Sequence, residues 1–298
     1  MKISIIKNTK SYLPEAYAYQ QYLNNLGYKV DITEFKSLDH NTDLIIDFMG
    51  LRTKPYKSKN FRYIHEYSSS SVPPFVNGKN FLKKKLNFKP SGRIFLNHKT
   101  FKAFNFKDNL PYIYREMGCD KEFFINPNDA KKFQYDLVYS GSISNRTGLV
   151  ECIIKLLRLN FKILLIGKIS KEISKLFDIY SEIDIAGYVD RKYLPDLYKQ
   201  ARAGLNYMPN ISPYKFQTST KTLEYCASNI GVVSSQYYWS KKFSFERNSN
   251  FLWLENLNDK KQFDNFSFNK TNVKDLEWSK ILDKCNFSNF VHSCMERD

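Results

Sequence analysis

The chain has no run of roughly eighteen apolar residues, the length a helix needs to cross a bilayer, so a helical membrane span is excluded. Its five cysteines (Cys119, Cys152, Cys226, Cys285, Cys294) are odd in number and show no CxxC spacing. That argues against a disulfide scaffold or a structural zinc site, and for reduced thiols in a cytoplasmic protein. The start, MKISIIKNTK, has no long apolar region or small-residue cleavage site; it reads as a first buried strand, not a secretory signal. No internal repeat or low-complexity tract is evident. Acid is scarce: 30 Asp+Glu stand against 46 Lys+Arg, a net charge of +16. What remains is globular, with 298 residues, 42% hydrophobic and 16% aromatic. Such a chain accommodates two domains of ordinary size, each with its own core.

The positive charge is uneven. Through Asp120 there are 20 Lys+Arg against 10 Asp+Glu, and beyond it 26 against 20, so the excess is +10 and then +6. Residues 81–107 (FLKKKLNFKPSGRIFLNHKTFKAFNFK) carry eight Lys/Arg and no acid. Interleaved Phe and Lys suit an anionic membrane surface or nucleic acid. A lysine-rich composition drawn from an AT-biased genome, visible in the many Asn, Ile, Phe and Tyr, explains the same stretch without a partner.

Strand and helix signals alternate along the chain. In the first part, apolar runs at 2–6, 28–32, 44–48, 61–64 and 93–96 predict strands, with helices over 14–26 and 100–106 and a loop at 68–74. In the second part, strands are predicted at 137–139, 162–166, 183–186, 205–208 and 232–234. Helices are predicted over 149–159, up to 175–177, over 195–202 and over 220–227. A tail helix over 276–284 opens near Trp278, and a short amphipathic segment follows. The alternation predicts parallel sheets covered by helices, in which ligands bind beyond the carboxyl ends of the strands.

The stretch 218–235, TSTKTLEYCASNIGVVSS, carries the chemistry. Lys221 and Glu224 are three apart and share one face of a helix. An ammonium suits a phosphate and a carboxylate one turn on suits a sugar diol; an intrahelical ion pair on a solvated face fits the same spacing. Upstream, Gly141 and Ser142 follow a strand, where backbone N–H groups can meet a diphosphate, and Arg146 in the same loop brings a planar fork of donors. Lys168 follows Gly167 at another strand end, and serves either a phosphate or an exposed helix entry.

In order, YDLVYSGSISNRTG, KILLIG, IDIAGYVDRKYLPDLYKQARAGLNYMP and STKTLEYCASNIGVVSS resemble the donor-binding domain of GT-B glycosyltransferases. The likeness is to the retaining group 1 type that includes many bacterial capsule and lipopolysaccharide enzymes, and it covers residues 135–235. It implies two Rossmann-like domains facing across a cleft, with a C-terminal helix crossing back to the first. It implies the domains 1–122 (acceptor-binding), 123–272 (nucleotide-sugar-binding) and 273–298 (C-terminal helices), with Trp278 in a packing role. It further implies that Arg146 and Lys221 neutralise the leaving diphosphate without a metal and that Glu224 receives the ribose hydroxyls. Tyr188 and Val189 would flank the base, with Leu194 walling the pocket.

Two positions depart from the pattern. A second glutamate, eight residues before the ribose-binding one in many retaining members, is Phe216 here; Gln217, Thr218, Ser219 and Thr220 stand next to it to hold the sugar. The first loop, residues 7–10, has lysines where family members often have a glycine pair. His65 and Glu66, at the end of a strand expected to face the cleft, are either an acceptor-activating pair or a structural hydrogen-bonded pair. The resulting expectation is a cytoplasmic glycosyltransferase, peripheral on the inner face of the membrane. It would move a sugar from a UDP- or GDP-linked donor, its co-substrate, to a lipid-linked surface glycan, with no metal or other cofactor and no nucleic-acid partner. A GT-B-fold epimerase or non-catalytic nucleotide-sugar binder, and a basic nucleic-acid-binding protein, are the alternatives.

Overall fold

The protein is described as a computed structural model covering residues 1–7, 12–55, 61–71, 74–124, 133–143, 146–212 and 214–296. It divides into two compact units, Met1–Gly118 with Leu276–Asp298, and Cys119–Asp275.

In chain order the first unit runs β1 (Lys2–Ile6), α1 (Pro14–Asn25), β2 (Lys29–Thr33), β3 (Leu44–Phe48) and β4 (Arg62–Tyr67). It continues through α2 (Val76–Leu86), β5 (Gly92–Phe95), α3 (His98–Phe104) and β6 (Tyr112–Tyr114). The six-stranded sheet has the order β2-β1-β3-β4-β5-β6, and every pairing is parallel. β1, β3, β4 and β5 are buried almost end to end, as strands covered on both faces must be. Pro14 opens α1 where a missing N–H costs nothing, and Asn97 caps α3 by accepting from Thr100 N–H.

The second unit runs β7 (Tyr135–Ser140), α4 (Leu149–Arg158), β8 (Ile163–Ile166), α5 (Lys171–Phe177), β9 (Ile183–Gly187) and α6 (Leu194–Tyr198). It continues through β10 (Ala201–Asn206), α7 (Thr220–Ala227), β11 (Gly231–Ser234), α8 (Tyr238–Glu246), β12 (Leu252–Trp253) and α9 (Lys260–Asp264). Its sheet order, β12-β11-β10-β7-β8-β9, is the Rossmann order in reverse view, with the switch point between β7 and β10. On α4 the buried residues are Leu149, Ile153, Leu156 and Leu157, one stripe at helical spacing, packed with Leu137, Ile163 and Leu205 of the sheet.

The chain ends in α10 (Trp278–Lys284) and α11 (Phe287–Glu296), which belong to the first unit. Leu282, Phe287, Val291 and Cys294 join Ile3, Tyr19, Ile64 and Ile94 in one core. Trp278 packs with Ala18 and Ile281, and a Cβ at Gly118 would meet its ring at 2.5 Å.

The helix expected over 195–202 is shorter than its pattern. It ends at Tyr198, and Ala201 already begins β10. Ala201 pairs with Tyr135 of β7, so central sheet pairing claims a residue whose type also suits a helix. The helix α2 was not anticipated, because its lysines and exposed apolar residues carry no core-facing stripe.

Candidate functional site

The site is built where β7 and β10 diverge. Gly141 follows β7, and its N–H donates to the Ile166 carbonyl at 2.8 Å. Gly167, at the end of β8, has φ +148°, and a Cβ there would lie 2.0 Å from the Gly141 carbonyl oxygen. The two loops therefore touch backbone to backbone, and only glycine allows it. Gly167 N–H in turn donates to Gly187 at 2.7 Å, so the carboxyl ends of β7, β8 and β9 are tied in sequence.

The helix α7 is held over this edge from two sides. At its start, Ser219 caps Thr222 N–H at 3.2 Å and donates to Asn206 Oδ1 at 2.8 Å, while Asn206 donates to Ser234 Oγ at 2.9 Å. These groups are buried and mutually satisfied, which fixes the helix start to the ends of β10 and β11. Along its length, Tyr225 lies against Gly204, where a Cβ would meet the ring at 2.2 Å. The bare backbone of β10 thus sets how closely α7 approaches the sheet.

That placement brings the charged groups together. The Lys221 side chain crosses Gly141, its Cε 3.3 Å from where a Cβ would stand, and its ammonium is 3.8 Å from Glu224 Oε2. Glu224 is 1% exposed. It accepts from Arg191 Nη1 at 2.7 Å and from the Tyr198 hydroxyl at 2.9 Å. Burial pushes its pKa upward, but Lys221, Arg191 and Tyr198 together outweigh that and hold it below the usual carboxylate range. Burial lowers the Lys221 pKa; Glu224 opposes the fall, and the neighbouring charges of Arg191 and Arg146 add to it. Two cations, Lys221 and Arg191, thus share one buried carboxylate, and the charge of Arg146 reaches Lys221. Arg146 donates to the Tyr207 carbonyl at 2.7 Å, a bond that spans the switch point from the β7 loop to the end of β10. Arg191 also pairs with Asp120, and its guanidinium lies 4.7 Å from the Phe123 ring centre.

Arg191 was missed in the sequence because its partners, Asp120 and Glu224, are 71 and 33 positions away. The one available signal was a cation shortly after Gly187, in the loop that follows the edge strand.

The other anticipated residues are placed as follows. Ser142 is exposed, and its carbonyl accepts from the Tyr139 hydroxyl at 3.1 Å. Lys168 and Tyr188 come together at the ends of β8 and β9, ammonium to ring centre 5.8 Å, with Tyr188 71% exposed and Val189 half-buried. Leu194 is buried. Gln217, Thr218 and Thr220 are half-buried around the start of α7. Phe216 stacks edge-on against Tyr238 at 5.1 Å.

His65 and Glu66 are not at an open strand end. β4 lies between β3 and β5, and both residues are at most 1% exposed. The His65 ring packs edge-on to Phe88 at 4.6 Å, with no hydrogen-bond partner at either nitrogen among the described residues. Burial drives its pKa down to about 3, helped by Arg93 and Arg52. Glu66 pairs with the fully buried Arg115 at 2.5 Å and accepts from the Tyr19 and Ser68 hydroxyls. Burial raises its pKa against the pull of Arg115. The two side chains do not bond to each other; one is a neutral core ring and the other an ion-pair member. Of the loop at residues 7–10, only Lys7 falls among the described residues; its ammonium donates to the Tyr17 hydroxyl at 2.6 Å.

No protein-family model matches the chain, and no curated protein sequence matches it. Solved structures do. AviGT4, a glycosyltransferase involved in avilamycin A biosynthesis, aligns with a TM-score of 0.64 at 12% identity over 99% of this chain and 98% of its own. Anabaena HepE in complex with UDP-glucose aligns with 0.57 at 13% identity, over 99% and 92%. A T4 phage BGT mutant in complex with UDP-glucose aligns with 0.53 at 14% identity, over 99% and 97%. The fold of this chain is that of the GT-B glycosyltransferases.

Proposed function

We propose that the protein is a glycosyltransferase, transferring a hexose from a UDP- or GDP-linked donor to a lipid-linked acceptor in bacterial surface-glycan synthesis. The observation that carries this reading is the pairing of Lys221 and Arg191 with buried, ionised Glu224, with Arg146 close to Lys221, at the switch point of a Rossmann-ordered sheet. Crevices at such switch points are where α/β sheets bind nucleotides. The fold shared with structures holding UDP-glucose supports the same ligand class.

In this reading Lys221 and Arg146 meet the diphosphate, and the backbone around Gly141 lets it approach. As the bond from the sugar to the β-phosphate breaks, negative charge grows on the leaving diphosphate. Fixed cations in a half-buried site stabilise that charge without reorganising, and they do so with the protein's own groups in place of a metal. Glu224 orients Lys221 and Arg191, and its remaining lone pairs accept the ribose hydroxyls. Tyr188, with Lys168 beside it, flanks the base. Retention of the anomeric configuration is the outcome the resemblance implies. Residues 217–220 then hold the sugar hydroxyls in place of a glutamate at Phe216. The first unit, with its basic surface, takes the acceptor.

Thermal melting of the whole chain across a panel of nucleotides and nucleotide sugars tests this. A bound ligand at about 100-fold excess over its Kd adds roughly 2.7 kcal/mol of stability. At least one UDP- or GDP-sugar should raise the melting temperature, and Arg146→Ala and Glu224→Ala should each cut that rise by more than half. A panel without effect, or variants that respond like the parent, would overturn the reading.

A further inference from the structure

The helix α2 is inside out. Its one buried residue is polar: Asn80 accepts from Ser71 N–H at 2.9 Å and donates to the Ala103 carbonyl at 3.4 Å. Its apolar residues point the other way, with Phe81, Leu82 and Leu86 58%, 49% and 46% exposed. At the cap, Phe75 is 82% exposed and sits at φ 60° with no side-chain cap bond, a left-handed conformation rare for a bulky residue. A surface helix ordinarily turns its apolar stripe inward and its polar face to water. Here the arrangement is reversed, and four large apolar side chains, Phe75, Phe81, Leu82 and Leu86, stand exposed along the cap and the helix.

Cations border this strip. Lys79, Lys83, Lys84 and Lys85 lie on the helix and Lys89 beyond it. Residues 67–107 carry nine Lys/Arg and no Asp/Glu. Of the nine, Arg93 is neutralised by Asp108. Burial, and after it the neighbouring charge of Lys79, lower the Lys83 pKa. The Lys85 ammonium stands 6.0 Å from the Phe81 ring centre, its stem beside the apolar strip and its charge at the margin. Packed against α2, α3 adds exposed Lys99 and Lys102.

We propose that α2 is a docking helix for an anionic lipid bilayer. It lies in the plane of the headgroups, with Phe75, Phe81, Leu82 and Leu86 below the phosphates and Lys83, Lys85 and Lys89 level with them. A second copy of the chain fits less well, because a symmetric contact would set one lysine cluster against its twin. Nucleic acid fits less well too, because exposed Leu82 and Leu86 neither stack on bases nor bond to them. The inference stands on α2 alone and does not rest on the nucleotide-sugar reading.

Co-sedimentation of the full chain with phosphatidylglycerol-containing vesicles, against pure phosphatidylcholine vesicles, tests it. The chain should sediment with the anionic vesicles and stay in solution with the neutral ones. The double variant Phe81→Ser/Leu82→Ser should lower the partition coefficient by more than about tenfold. Lys85→Gln and Lys89→Gln should each lower it about fivefold. Circular-dichroism melting should match the parent for each variant, because none of these side chains is in a core. Absence of vesicle binding, or equal binding by the double variant, would overturn the proposal. So would a concentration-dependent dimer that the double variant abolishes, or tighter binding to duplex DNA than to the vesicles.

Discussion

Glu224 and His65 are two buried titratable residues that the fold treats in opposite ways. Three donors converge on Glu224 from Arg191, Tyr198 and Lys221, so the charged form survives burial. Among the described residues nothing bonds to the His65 nitrogens, and burial suppresses its protonation and moves its pKa to about 3. The unfolded chain takes up a proton at this histidine near pH ~6.5, whereas the folded chain does not until about pH 3. Its contribution is therefore intact above ~6.5 and is lost progressively as pH falls from there, at up to about 1.4 kcal/mol per pH unit. Denaturant melts of the parent and of His65→Phe should diverge in that window, with the variant keeping more of its stability. At neutral pH the variant should be equal or more stable by about 1 kcal/mol, since it removes two unbonded buried nitrogens. A parallel acid limb in both proteins would show that the ring is protonated in the fold.

The elements that form the candidate site are loops and one short helix, positioned by close backbone approach. The Gly204→Ala variant puts a methyl group into the Tyr225 ring and forces α7 off the sheet. It should cost at least about 1–3 kcal/mol in urea melts and weaken nucleotide binding as well, although Gly204 touches no ligand. Wild-type stability in that variant would mean α7 is not seated as described. Much of this level was legible in the sequence. Apolar runs bounded by glycine marked β7, β8 and β9, and 220–227 marked the helix, while the Ser219 cap emerged only in the structure. The polar helix start and the β7 loop came together because the Rossmann topology brings successive strand ends to one edge. Arg191 was not legible, because only the fold brings it to Glu224. Nor was α2, whose pattern reports an outside that the chain alone does not define. The reading of 195–202 as one helix failed where β10 needed its residues for pairing.

At the scale of the whole molecule, the net charge of +16 has at least two local expressions with different chemistry. In the second unit it is a compact group of cations around one carboxylate, suited to a small, highly charged anion. In the first unit it is a spread of lysines around exposed apolar side chains, suited to an extended anionic surface. Among the described residues no helix is long and apolar enough to cross a membrane. Each unit buries its own core under its own parallel sheet, and the terminal helices complete the first. The proposal at stake is that Lys221 and Arg146 form a diphosphate site beside Glu224, and calorimetric titration with UDP and GDP against uridine and guanosine tests it most directly. Charge-assisted hydrogen bonds of about 1.5–3 kcal/mol each predict that one diphosphate binds at least about 30-fold more tightly than its nucleoside, and that Lys221→Met removes most of that difference. Equal affinity for diphosphate and nucleoside, or an unchanged difference in the variant, would contradict it.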